Sequence, residues 1–148
     1  MFCTVDENFE AYGLLDHRHT PETEQVVGAQ VLFTPHLAPM NRGILATCYA
    51  RPAEGATLTT SSLLATLARA YAHEPFVVVR PTPPATKATL GTNAVHLSAR
   101  FDERTNTVMA ICAIDNLAKG ASGGAVQAAN VALGLNETSG LVTVGLYP

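Results

Sequence analysis

The sequence is poor in charge. Only 14% of its 148 residues are Asp, Glu, Lys or Arg, and they leave a formal net charge of −3. Binding to a phosphate backbone needs clustered Lys and Arg, so the composition argues against a nucleic-acid partner. Cysteine is scarce as well: Cys3, Cys48 and Cys112 are an odd number with no paired spacing. That pattern is neither a disulfide scaffold nor a CxxC metal site, and it fits reduced thiols in a cytoplasm. No apolar run approaches the roughly 20 residues of a membrane span. The opening MFCTVDENFE carries Asp6, Glu7 and Glu10 without a basic stretch, so it does not read as a signal peptide. GxGxxG and GxxxxGK[ST] are both missing.

What remains is a chain of one domain's length with 47% hydrophobic residues. A chain of this size buries roughly 70% of its unfolded surface. Low charge and a slightly positive mean hydropathy imply an apolar face covered by a partner or another domain.

The patterning predicts a connecting arm from Met1 to about Leu15, then a short helix from about Pro21 to Val27. Thr20 caps that helix and Gly28 closes it. Gln30–Thr34 reads as a strand, and Ile44–Ala50 as a second, largely buried one. Leu58–His73 is the clearest helix, with Leu63, Leu64, Leu67, Ala70 and Tyr71 on one stripe. Phe76–Arg80 is a short strand. Asn93–Phe101 and Thr107–Ile114 form a hairpin across the polar turn Asp102–Asn106. An alanine-rich helix lies within Leu117–Leu133 and stops at Gly134, and Leu141–Leu146 is a last strand. About six strands and three helices, without strict βαβ alternation, predict an α+β fold: a mixed, mainly antiparallel sheet with helices on one face.

Three segments carry chemistry. His17 and His19, alternating on an extended segment, point to one side. Histidine titrates near neutrality and suits acid/base work. Two solvated histidines in a polar loop account for the residues equally well, and no third ligand at a recognisable spacing supports a metal. Arg42, in Pro39-Met40-Asn41-Arg42-Gly43 between two strands, has the fork geometry to take a carboxylate or phosphate. A plain surface arginine in a turn is the simpler account. Asp115–Gly124 follows a strand and opens a helix, where free N–H groups favour anions. Its glycines also serve close packing, as do Ala121, Ala125, Ala128, Ala129 and Ala132. No nucleophile stands out: Cys48 and Cys112 sit in apolar strands, where cysteine is usually a small core residue.

Four segments together carry a family resemblance: LDHRHTPE (15–22), FTPHLAPMNRGILAT (33–47), Gly91-Thr92-Asn93-Ala94-Val95-His96, and IDNLAKGASGGAVQAANVALGL (114–135). In order and content they resemble the C-terminal part of the N-acetyl-gamma-glutamyl-phosphate reductase family. That family acts in arginine biosynthesis and is related to aspartate-semialdehyde and glyceraldehyde-3-phosphate dehydrogenases. The resemblance spans nearly the whole chain.

The resemblance implies an NADPH-dependent reduction of a small-molecule acyl phosphate to a semialdehyde, with phosphate released. A cysteine attacks the acyl group and hydride reduces the resulting thioester. That cysteine belongs to a GCYPT-like motif with no match here, and the N-terminal dinucleotide-binding domain has none either. Residues 1–148 therefore read as a single substrate-binding and dimerisation domain, built like the C-terminal domain of glyceraldehyde-3-phosphate dehydrogenase and expected to be inactive alone. His17 matches the family's acid/base histidine. His19 and Arg42 would contact the substrate's phosphate or carboxylate. Asn116 would lie near the nicotinamide of NADP, with Lys119 and Gly120 shaping that pocket. The alanine-rich helix would pack on the N-terminal domain, and the sheet would build a homo-oligomer in the cytoplasm. Two other readings stay open. One is a carrier-protein-linked acyl-phosphate reductase of lysine or ornithine synthesis, which the lack of a basic docking run disfavours. The other is a non-catalytic scaffold that kept the fold.

Overall fold

In the computed structural model, which describes residues 6–145, the longest paired strands are β5 (Val95–Asp102) and β6 (Thr107–Ile114). They form the expected hairpin, in register from Val95↔Ile114 to Asp102↔Thr107. Asp102 closes the turn: its carboxylate accepts the Thr105 hydroxyl at 2.5 Å and the Arg104 amide at 3.2 Å. Asn106 takes the left-handed conformation the turn needs, with φ 49°. β3 (Ile44–Ala50) pairs antiparallel with β6 over its whole length, and β4 (Val77–Val79) pairs parallel with β5. The sheet order is β3-β6-β5-β4, mixed and mainly antiparallel, as the patterning predicts.

Two helices connect these strands. α2 (Thr60–Ala70) starts in a reciprocal capping box: Thr59 Oγ1 accepts the Ser62 amide at 3.0 Å and Ser62 Oγ accepts the Thr59 amide at 3.0 Å. α2 lies against β5 and β4, and Thr60 Oγ1 accepts the Phe101 amide at 3.1 Å. α3 (Thr86–Thr89) is a single turn in the β4-to-β5 crossover, beyond the three helices expected.

The chain divides into two compact units, Met1–Asn41 and Arg42–Pro148. The first holds β1 (Glu10–Ala11), β2 (His36–Leu37) and α1 (Thr20–Val27), with β1 and β2 antiparallel. β1 replaces part of the featureless arm. Gln30–Thr34 is not a strand: the Val31 amide donates to Glu24 Oε1 at 2.8 Å, and Phe33 packs edge-on to His17. The Val31 amide finds a side-chain acceptor instead of a ladder partner, and Phe33 finds a ring contact. Thr20 is likewise not the cap. α1 starts from His19, which makes no side-chain capping bond, and the Thr20 amide donates to the His17 carbonyl at 3.0 Å. Gly28, at φ 70°, ends α1 as expected.

In the second unit the fully buried side chains cluster where β4 and β5 begin and β6 ends. They include Phe76, Thr89, Thr92, Asn93, Ala94, Ala113 and Asp115. β3 departs from expectation. Its apolar run predicts burial on both faces, yet Ile44 is 47% and Tyr49 68% exposed. β3 is an edge strand of this sheet, and apolar composition alone supplies no layer to cover it. Cys48 is accordingly exposed rather than in a core, and Cys112 is half-buried on the same face of β6. Burial first, and Cys48 second, push the Cys112 thiol up. Cys3 lies outside the described residues. Residues 141–145 form no strand; the Val142 carbonyl accepts the Asn93 amide at 2.8 Å and the Leu141 amide donates to the Thr138 carbonyl at 3.1 Å, and Leu146 lies outside the described residues.

His96, on β5, has a buried Nδ1 without a partner. Burial, and then Arg80, lower its pKa from the ordinary value near 6.5. The unfolded chain therefore binds the proton more readily, and stability is lost as pH falls through 6.5. The H96Q variant is expected to lose less thermal stability than the parent between pH 7 and pH 5, measured by circular dichroism melts.

Candidate functional site

β6 ends at Ile114, and the next residue, Asp115, is completely buried. Its carboxylate is saturated by donors. Oδ1 accepts Arg42 Nη2 and the amides of Leu117 and Ala118, each at 2.8 Å; Oδ2 accepts the Gly91 amide at 2.6 Å. Burial alone would raise the Asp115 pKa, but Arg42 and these three amides outweigh it and hold the group at about 2. Beside this pair, Asn116 Oδ1 accepts the Gly43 amide at 2.7 Å. Arg42 and Asn116, singled out in the sequence 74 residues apart, thus meet through adjacent contacts. The Arg42 side chain stays 35% exposed, so part of the guanidinium faces solvent.

The amides after β6 were expected to offer an anion site. Two of them are instead filled by Asp115, the chain's own anion. Residues Ala118–Ser122 then form a π turn, with Gly120 N–H donating to Asp115 O at 3.0 Å and Ser122 N–H to Leu117 O at 3.1 Å. Lys119 is anchored elsewhere. Its Nζ donates to Gln127 Oε1 at 2.6 Å and sits 5.8 Å from the Phe76 ring centre. Gln127 also accepts Asn93 Nδ2 and donates to Glu137 Oε1 at 2.6 Å. α4 (Gly123–Ala132) follows directly, with Ala125, Ala128, Ala129 and Ala132 exposed on this chain.

Gly123 is there for space. A Cβ on it would stand 2.5 Å from Asn93 Oδ1 and 2.8 Å from Ala118 O. The G123A variant is expected to lower unfolding free energy by about 1–3 kcal/mol, the usual range for overpacking, as read from urea titrations.

The first unit brings His17 and His19 together, by a turn rather than by extended alternation. Their rings lie edge-on with centres 4.9 Å apart, and the His19 amide donates to His17 Nδ1 at 3.2 Å. With Nδ1 accepting, the neutral ring carries its proton on Nε2. Tyr12 and Phe33 flank His17 at 5.4 and 5.0 Å. Gly13, at φ 55°, closes the cage: a Cβ there would lie 2.9 Å from His17 Cδ2. Sequence reasoning gave no role to Gly13, Asp115 or Gln127. Asp115 had one local signal, an Asx side chain just before a helical start. Among the described residues no cluster of three His, Cys, Asp or Glu is placed to hold a metal ion, and no helix is long and apolar enough to cross a membrane.

Residues 1–116 match the family described as semialdehyde dehydrogenase, dimerisation domain. The chain belongs to this family. The dimerisation domain is 50% identical over 99% of its length to an N-acetyl-gamma-glutamyl-phosphate reductase of Desulforudis audaxviator, covering 44% of that protein. It is 51% identical over 89% of its length to the enzyme of that name from Acidothermus cellulolyticus, covering 40% of it. The chain therefore spans less than half the length of these curated relatives. Aspartate semialdehyde dehydrogenase II from Vibrio cholerae superposes with a TM-score of 0.61 at 18% identity, over 77% of the domain and 34% of the other chain. That likeness bears out the α+β fold.

Proposed function

We propose that this chain is the substrate-binding and dimerisation domain of an NADPH-dependent N-acetyl-gamma-glutamyl-phosphate reductase, which forms N-acetylglutamate semialdehyde and phosphate in arginine biosynthesis. The observation that carries the reading is the near-50% identity, over almost all of the chain, to proteins of that name. The four sequence blocks lie at the residues whose geometry is described above.

His17 is the acid/base group. Its Nδ1 is taken by the His19 amide, so Nε2–H is the face it offers to a thiolate or a developing oxyanion. Arg42 spends one nitrogen on Asp115 and keeps other donors for the substrate's phosphate or carboxylate, with His19 as a further contact. NADPH, when bound, supplies the hydride. Asn116 fits the nicotinamide's amide group, because the Gly43 amide pins Oδ1 and so fixes the plane in which its own NH2 is presented. Gly120 donates its amide to Asp115 O in the adjoining turn, while Lys119 shapes it by bracing Phe76 and Gln127. The nucleophilic cysteine and the dinucleotide-binding domain come from the rest of the reductase. The exposed Ala face of α4 suits that domain, and the bare apolar edge at Ile44, Leu45 and Tyr49 suits a second copy in a cytoplasmic homo-oligomer.

The test compares the isolated chain with the reductase that contains it. The complete protein is expected to release phosphate from the acyl phosphate as it consumes NADPH, and the isolated chain to release none. NADPH-dependent release by the isolated chain would overturn the reading.

A further inference from the structure

Ile44 and Ile114 are the last ladder partners of β3 and β6. Beyond them the backbones stop pairing, but the contacts continue through side chains. Asp115 takes Arg42, and Asn116 takes the Gly43 amide. These two rungs clamp Arg42-Gly43 to Asp115-Asn116. Asp115 extends the clamp to the Gly91 loop and to the amides of Leu117 and Ala118.

Burying a carboxylate is costly, and a neutral cap would satisfy the Leu117 and Ala118 amides equally well. A buried charge is explained by the one partner that is itself charged. Arg42 is held end-on, through Nη2 alone; its Nε is buried with no partner. A pair through one nitrogen fixes where the guanidinium sits and leaves Nη1 and the second Nη2 proton to meet an anion. All four contacts on the Asp115 carboxylate are short, so its position leaves little play.

We infer that Asp115 is a positioning residue: it acts through Arg42, setting the guanidinium's remaining donors for the anionic substrate. This rests on the proposed reductase activity, where Arg42 contacts substrate.

The experiment is a double-mutant cycle in the complete reductase with D115N, R42A and the double variant, reading kcat and KM for the acyl phosphate. D115N is expected to lower kcat/KM about tenfold in the parent and at least about fivefold less than that in the R42A background. KM for the acyl phosphate is expected to rise more than KM for NADPH. Equal losses in both backgrounds would overturn the inference, because a purely structural residue harms both alike. A second measurement needs no variant and no activity. In 15N-resolved NMR of the parent chain, the Arg42 Nη protons are expected to give separate, slowly exchanging signals, unlike the exposed Arg104. A single averaged Arg42 signal would overturn the inference even if the reductase is active. A parent reductase that does not use the acyl phosphate would instead overturn the functional reading.

Discussion

The H17A variant of the complete reductase is expected to lose about 10²–10⁴-fold in kcat, the usual worth of a positioned acid/base group. KM for the acyl phosphate is expected to change far less, because Arg42 and not His17 is assigned the substrate's charge. The magnitude follows from how firmly the ring is held. Three aromatic rings flank it, and the His19 amide fixes its Nδ1. Gly13 leaves the space that its Cδ2 edge fills. G13A is therefore expected to lower kcat in the same direction, since its Cβ displaces the ring and strains a backbone at φ 55°. Steady-state assays with circular dichroism as a folding control check both variants. An H17A enzyme within about tenfold of the parent would remove His17 from the acid/base role.

The D115A variant is expected to lose about 3–5 kcal/mol of stability, the scale for breaking a buried ion pair from one side. It strands Arg42 and leaves the Gly91, Leu117 and Ala118 amides without their acceptor. The loss also depends on pH. Asp115 titrates at about 2 in the folded chain, below the ordinary aspartate value near 3.8. A depressed carboxylate contributes its full stabilisation above the unfolded value and loses it as pH falls toward the folded one. The parent is thus expected to weaken between about pH 4 and pH 2, and D115A to lack that part of the acid limb. Urea midpoints across this range measure both effects. A D115A protein as stable as its parent would show that the four contacts carry no net stabilisation.

Local signals were legible in the sequence. The β5–β6 hairpin was announced by two alternating runs around a polar turn, α2 by its apolar stripe, and the end of α1 by Gly28. These features need only neighbours within a few residues. What failed depended on partners far away or on layers outside the run itself. Ile44–Ala50 is a strand, but its burial depends on what packs over an edge strand. Gln30–Thr34 has strand composition, yet Glu24 and His17 claim its groups. The Thr20 cap gave way to His19 because Thr20 is already inside the helix.

The site divides the same way. His17, His19, Arg42, Asn116, Lys119 and Gly120 were singled out as candidates from motif and resemblance, and the contacts each of them makes were not. Asp115 meets Gly91 and Arg42 across 24 and 73 residues, distances over which no periodicity carries information. Gly13 acts by lacking a side chain next to His17, and a sequence does not display empty space.

The central claim is that this domain serves reduction of N-acetyl-gamma-glutamyl phosphate. The most direct measurement is NADPH oxidation by the complete protein with that compound, with phosphate release followed in parallel. The account predicts one phosphate released per NADPH consumed, and loss of both signals in H17A. No NADPH oxidation with this substrate, together with turnover of a carrier-protein-linked acyl phosphate, would contradict it.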